Sequence, residues 1–355
     1  MSALYDSLLP FIAIIVLLVL AHELGHFVTA KLMGVRVLEF GVGFPPRIAA
    51  FKRGETEYSI NALPLGGFVR MLGEEDPTHP ESLAAKPPLK RIVVLSAGAF
   101  MNFLLAIALF TTGFMIPREV SVGRPIISQV QPDSPAEAAG LQAGDAIYKI
   151  NGRNIQNVPD ASYNIRLNLG EKMTMTVKRG GEFLDLKVRA RWVPPEGQGP
   201  TGITIGAQYP FTEMQSYPPW EALPLGVRST FDALKLARNE VTSWFKGAGS
   251  PQVAGPVGIA QATGEVVKEA GWKSLMDLAA LLSINLAVIN ILPLPFLDGG
   301  RIVFVLLEIL RRGRRIAPQK EALVHLAGLA FFMVFVVVIS YFDILRLIRG
   351  DAFFR

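Results

Sequence analysis

Along the chain, long uncharged apolar runs give way to stretches in which apolar and polar residues alternate at short period. Ile92 to Ile116 is 25 residues without a charge, bounded by Lys90-Arg91 and by Pro117-Arg118. Leu278 to Leu297 adds 20, entered after Asp277 and closed by Asp298, and Leu326 to Phe342 adds 17 between His325 and Asp343. A further run starts at Ser7, stays uncharged to Ala21, and then meets His22, Glu23 and His26 before Lys31. About 20 apolar residues cross the hydrocarbon of a bilayer, so the pattern predicts a polytopic α-helical membrane protein with about four transmembrane helices. The first run reads as a span rather than a signal peptide. No Lys or Arg precedes it and no A-x-A-like cleavage site follows it.

Between the second and third spans the period changes. Ile126–Val130, Ala146–Ile150 and Met173–Val177 read as strands separated by Gly, Pro and Asn turns, predicting a water-soluble β-rich domain over 118–193. Pro194 to Thr212, rich in Gly and Pro, reads as a linker or irregular cover. Residues 230–245 set Phe231, Leu234, Leu236, Val241, Trp244 and Phe245 among Lys235, Arg238, Glu240 and Lys246. That is the period of an amphipathic helix lying on the bilayer or packed against the soluble domain, so 194–273 is expected to hold linker and amphipathic helices outside the membrane. Within 1–117, residues 38–70 carry alternating patches (Leu38-Glu-Phe40, Tyr58-Ser-Ile60) around the turn Lys52-Arg-Gly-Glu55 and predict a β-hairpin. The last two spans fill 274–355.

Lys and Arg set the orientation. Lys31, Arg36, Arg47, Lys52, Arg53, Arg70, Lys86, Lys90 and Arg91 lie between the first two spans, and Arg311, Arg312, Arg314, Arg315 and Lys320 between the last two. Both loops read as cytoplasmic, with both termini and the long middle segment outside. Arg346, Arg349 and Arg355 pull weakly the other way. Composition narrows the classes further: 50% hydrophobic and 18% charged residues exclude a disordered chain and argue against one water-soluble globule. The absence of cysteine excludes a disulfide scaffold, a thiolate metal site and a thiol nucleophile. The expected partners are a lipid bilayer and other membrane proteins, not nucleic acid; the sequence is silent on oligomeric state.

His22-Glu23-Leu24-Gly25-His26 is an H-E-x-x-H sequence. On a helix, positions i and i+4 share a face, so two imidazoles can hold one metal with Glu23 beside it. An ionisable cluster inside a membrane span costs several kcal/mol unless it is paired or functional, which argues against two incidental histidines. Imidazole with carboxylate and no thiolate suits zinc. Catalytic zinc takes three protein ligands, and depth in the membrane selects Asp298 as the third: it closes a span of the same sense as the one carrying His22 and His26. His79, in a polar cytoplasmic segment, and His325, opening a span of opposite sense, read as a surface and a helix-end histidine. Gly299-Gly300 follows Asp298, and Asn290-Ile-Leu-Pro293-Leu-Pro295 before it interrupts the helix and can expose carbonyls to a water-filled cavity.

Two resemblances follow from these strings. Gly140-Leu-Gln-Ala-Gly144-Asp145 with the run to Asn151-Gly152 resembles the PDZ domain of exported proteases, which captures extended peptides at a sheet edge. HELGH together with Asn290-x-x-Pro-x-Pro-x-Leu-Asp298-Gly-Gly300 resembles the site-2 protease family of intramembrane zinc metalloproteases, in its bacterial RseP-like branch. Gly41-Val-Gly43, Pro64-Leu-Gly-Gly67, Gly98-Ala-Phe-Met-Asn102 and Gly255-Pro-Val-Gly-Ile-Ala260 agree with it, and it covers nearly the whole chain. One PDZ-like domain is found where some members carry two.

The resemblance implies that His22, His26 and Asp298 bind zinc, that Glu23 is the general base, and that Asn290 helps hold substrate or the oxyanion. It implies a membrane-associated hairpin over 38–70 dipping toward the site, and cleavage of single-span membrane proteins within or near their transmembrane segment, such as an anti-sigma factor or leftover signal peptides. The PDZ-like domain would gate or recognise substrate. The rival readings are a metal transporter or sensor using the same cluster, and an inactive scaffold.

Overall fold

The computed structural model describes residues 2–248 and 254–353; residues 249–253, within the expected 194–273 segment, lie outside the described residues. In chain order it runs α1 (Ser2–Leu32), β1 (Val37–Arg53), β2 (Thr56–Met71), α2 (Pro88–Met115), β3 (Arg118–Val130), α3 (Pro135–Ala138), β4 (Ala146–Ile150), β5 (Arg153–Asn154) and α4 (Val158–Leu167). It continues with β6 (Lys172–Arg179), β7 (Glu182–Arg189), β8 (Ile203–Gln215), α5 (Pro219–Phe245), α6 (Pro256–Ala270), α7 (Leu275–Ile291), α8 (Asp298–Leu310) and α9 (Pro318–Arg349). These form two compact units. One takes residues 1–113, 222–230 and 253–355, the other 114–221 and 231–252.

In the first unit, four helices among the described residues are long and apolar enough to cross a membrane: Ser7–Leu32, Pro88–Met115, Trp272–Ile291 and Pro318–Arg349. Their number is the expected one, but two sets of ends differ. The third stops at Ile291, not Leu297, because Leu292 precedes Pro293 and is pushed out of the α region, to φ −64°, ψ 146°. Asp298 therefore opens a new helix, α8, instead of closing a span. The fourth starts at Pro318, eight residues ahead of the uncharged run, and continues past Asp343. Asp343 is tolerated there because it is fully buried and accepts the Gly255 and Gly258 amides at 2.9 Å, capping the start of α6.

The 38–70 hairpin folds back on itself. Phe40 lies opposite Val69 on one side and Tyr58 on the other, so residues 39–42 of β1 sit between two runs of β2. Buried Glu39 accepts from Arg47 at 2.7 Å and Ser59 at 2.8 Å and pairs with Arg70 at 3.1 Å, which fixes this register. The base of the hairpin closes an apolar cluster in which Ala30, Val37, Met71, Val94, Leu95 and Val305 meet, joining α1, β1, β2, α2 and α8.

The second unit is an antiparallel sheet in the order β7-β6-β4-β3-β8, with β5 paired to β4. Met173, Met175 and Val177 of β6, at period two, and Ile147 and Ile150 of β4, on either side of a register shift, point inward and form its core with Ile127. The expected linker Pro194–Thr212 is corrected in its second half: Ile203–Gln215 is β8, paired with β3 from Arg118↔Gln215 to Val130↔Ile203. Its glycines and prolines masked an alternating Ile203-Thr-Ile205 run, and only the partner strand reveals it. Of the two placements open to the 230–245 helix, residues 231–245 pack within the sheet unit. Asn239 donates to the carbonyls of Arg166 and Leu167 at the end of α4, and Arg153 grips Asp232 with both terminal nitrogens.

Candidate metal centre

Helical spacing brings His22 and His26 of α1 together with ring centroids 4.7 Å apart. Asp298, at the first turn of α8, closes the group. The two Nε2 atoms are 3.2 Å apart and the Asp298 Oδ2 is 3.1 Å from each. The three ligand atoms form the cluster in which a metal ion can be held.

The surroundings test whether a cation belongs there. His26 Nδ1 lies 2.8 Å from the Val94 carbonyl, which can only accept, so the proton sits on Nδ1 and Nε2 turns a lone pair to the cluster. Beside His22 Nδ1, 3.4 Å away, is the amide of Asn102, whose Oδ1 is buried without a partner. Exchanging the two ends of that amide lets His22 Nδ1–H donate to Oδ1 and frees the His22 Nε2 lone pair as well. Two imidazole lone pairs and a carboxylate oxygen then converge with no proton between them, which a cation stabilises. Their spacing is close to the ~3.3 Å edge of a zinc tetrahedron with bonds of about 2.0–2.1 Å. The residues fit zinc.

Backbone approach makes the pocket. A Cβ on Gly98 of α2 would fall 2.4 Å from His26 Nε2, so the second span reaches the centre only as bare backbone. On the other side, a Cβ on Gly67 of β2 would sit 3.6 Å from the Glu23 side chain. Glu23 faces a cavity of about 260 Å³ whose walls include His22, His26 and Asp298, Phe68 and Val69 of β2, Phe296, and the ion pair Glu74–Arg301 at 2.5 Å.

Four of the five site residues expected from the sequence therefore meet: His22, Glu23, His26 and Asp298. Asn290 does not; it is buried on α7 and is not part of the cavity wall. His79 is an exposed residue whose Nδ1 accepts from the Glu81 amide, and His325 lies on α9. Reading the sequence quoted Gly98 and Asn102 only within a string that agrees with the resemblance, with no role assigned, and passed over Glu74 and Arg301. Asn102 had a signal, since a polar residue inside an uncharged span must find a partner. The others become visible only once the helices are packed.

A multi-pass membrane chain with an H-E-x-x-H helix and a converging aspartate defines the class of membrane zinc metallopeptidases. Residues 10–335 match the model of Peptidase family M50, and the chain belongs to that family. Relatives agree. The zinc metalloprotease RasP of Geobacillus kaustophilus is 30% identical over 431 aligned residues, covering 96% of this chain and 98% of its own. The regulator of sigma-W protease RasP of Bacillus subtilis is 31% identical, covering 96% and 99%. A Clostridium perfringens protein is 35% identical, covering 92% and 95%. The transporter, sensor and scaffold readings are not favoured by this kinship.

Proposed function

We infer that this chain is a zinc-dependent intramembrane endopeptidase in which His22, His26 and Asp298 hold the metal and Glu23 is the general base. The observation that carries the assignment is the convergence of two imidazole lone pairs and the Asp298 carboxylate beside Glu23 in one cavity.

Bound zinc supplies a Lewis acid that polarises the scissile carbonyl and acidifies the attacking water. Glu23 takes a proton from that water as its oxygen adds to the carbonyl carbon, and returns it to the leaving amine nitrogen as the C–N bond breaks. Asn102 and the Val94 carbonyl hold the histidine tautomers through the cycle. Substrate must arrive extended, since a transmembrane helix hides its amides in its own hydrogen bonds. Residues 67–71 of β2 pair with β1 on one side only among the described residues, and they border the cavity through Phe68, Val69 and Met71. That edge supplies the backbone hydrogen bonds that lipid cannot. The exposed Phe44, Ile48, Phe51 and Leu63 of the hairpin suit immersion in the bilayer surface.

The substrates are single-span membrane proteins. By the kinship with the Bacillus subtilis sigma-W regulator, an anti-sigma factor is one candidate class. The sheet unit is a PDZ-like extracytoplasmic domain that gates or recognises them. In support, β8 ends the sheet with one edge unpaired among the described residues, which is where a PDZ domain would add a peptide strand. Both termini lie outside the cytoplasm and the metal centre near the cytoplasmic face, as the Lys and Arg distribution requires. The test is cleavage of a single-span reporter by the purified protein beside Glu23→Gln at equal zinc occupancy. Cleavage should fall about 10²–10⁴-fold with zinc retained; equal cleavage by both proteins would refute the assignment of Glu23.

A further inference from the structure

The residues before Asp298 hold an unusual turn. Phe296 is a non-glycine residue at φ +70°, in the left-handed region that side chains other than glycine rarely occupy. Pro293 and Pro295 have no amide hydrogen, so the Leu292–Leu297 loop has few donors with which to hold itself. Leu292 donates to Ile289, Leu294 to Leu292 and Leu297 to Leu294, all local. The Phe296 amide is the exception: it donates to His325 Nδ1 of α9, 2.7 Å away.

Two further contacts come from the same face of α9. A Cβ on Gly328 would lie 2.3 Å from the Pro295 Cβ, so the helix meets that proline only because position 328 is glycine. The Phe332 ring packs on the Phe296 ring at 4.8 Å. Positions 325, 328 and 332 are i, i+3 and i+7, one stripe of a helix. That stripe grips Pro295 and Phe296, and Phe296 is itself part of the metal cavity wall, two residues ahead of Asp298.

We propose that the last membrane helix is a positioning element for the metal centre, with His325 holding the Phe296 turn so that Asp298 is delivered to His22 and His26. This rests on the reading of those three residues as the zinc ligands. A backbone amide can only donate, so His325 Nδ1 must accept and carries no proton. Its Nε2 is buried, makes no hydrogen bond among the described residues, and lies 3.9 Å from the Glu321 carboxylate, beyond hydrogen-bond reach. Among the described residues His325 is neither one of the three ligands nor part of the cavity wall; besides the Phe296 amide its ring meets the Phe304 ring of α8 at 5.4 Å, so it reaches the centre through the loop and the helix that Asp298 opens.

The test compares the full-length protein with His325→Asn, which keeps an acceptor near the Nδ1 position, and His325→Leu, which keeps volume without one. Zinc affinity is read by chelator competition, and kcat and KM by reporter cleavage. Loss of an outer-shell partner typically weakens metal binding about 10–100-fold, which is expected for His325→Leu, with kcat lowered and KM little changed, while His325→Asn stays within about threefold of wild type. Equal damage in both variants would mean a packing role, and no change in either would mean none; each overturns the proposal. If His325→Leu does not yield folded protein, Gly328→Ala pushes on Pro295 from the same face. About tenfold weaker zinc binding supports the proposal and unchanged binding overturns it. A wild-type protein that binds no zinc overturns the ligand assignment and this inference together, whereas an intact wild-type centre indifferent to α9 overturns the inference alone.

Discussion

The two units solve burial in opposite ways. In the sheet unit the centre is apolar, with Ile127, Ile147, Ile150 and Met175 fully covered, and its buried polar groups lie around that centre, Asp145 paired with Arg179 and Asp232 with Arg153. In the membrane unit the interior carries His22, His26, Asn102, Ser283, Arg91 and Glu308, while Phe331, Val334 and Val337 of α9 are more than 60% exposed. The inversion follows from the solvent. Against water, a buried leucine gains and an exposed one costs; against hydrocarbon the leucine is neutral, and every polar group must find a partner inside the protein. Buried polar residues in the membrane unit are therefore held by partners, His22 and His26 by Asp298, Arg91 by Glu308 and Asp343 by the Gly255 and Gly258 amides.

The strongest test of this contrast is one interior substitution in each unit. Arg91 and Glu308, both under a tenth exposed, pair at 2.5 Å, and Arg315 also reaches Glu308 at 3.0 Å. Arg91→Leu should destabilise the membrane unit by about 3–5 kcal/mol, read as a lowered thermal midpoint in detergent, and adding Glu308→Met should recover much of the loss. Ile147→Ala should cost the sheet unit about 2–5 kcal/mol, read as faster amide exchange in β4 and β6, with zinc affinity unchanged. If zinc affinity fell with Ile147→Ala, the units would not be independent in the way their separate cores suggest.

A smaller effect is expected from Gly98→Ala, where one methyl group is aimed at His26 Nε2. Zinc binding should weaken about 10–100-fold by chelator competition, whereas an added methyl on the lipid face of α2 should do nothing measurable. Unaltered zinc binding would show that α2 can retreat from α1, contrary to the close approach described above.

An effect of similar size, but dependent on pH, concerns the sheet unit alone. Burial would raise the Asp145 carboxyl, but the Arg179 guanidinium, at 2.7 Å to both oxygens, and the Gln142 amide outweigh it and hold the group below its ordinary 3.8. A depressed folded value contributes stability that is complete above 3.8 and lost as pH falls through the folded value. The gap between wild type and Asp145→Asn in exchange protection around Gly140–Ile150 should be about 1.5–3 kcal/mol at pH 6 and should shrink below about pH 4. A gap independent of pH would mean that the pair contributes by shape rather than charge.

What could be read from the sequence was whatever repeats locally. Apolar length marked four helices that the structure also has. Alternation marked β4 and β6, and the i, i+4 spacing put His22 and His26 on one face before any fold was known. Asp298 was reachable because depth in a membrane is almost a one-dimensional coordinate. The same logic set the end of the third helix at Leu297, six residues too late, since it counted charges where the proline at 293 decides. β8 was missed because its strand character lies in its pairing with β3, 70 or more residues away.

The sequence by itself pointed to the solvent, to zinc and to the helix face shared by His22, Glu23 and His26, because hydropathy, donor type and helical period are properties of short segments. Tertiary structure alone decided which carbonyl sets the His26 tautomer, which glycine lets α2 touch the centre, and why a phenylalanine sits left-handed before Asp298. Each of these is a contact between residues at least 29 positions apart. No local period encodes such a contact; it exists only when the helices close around one another.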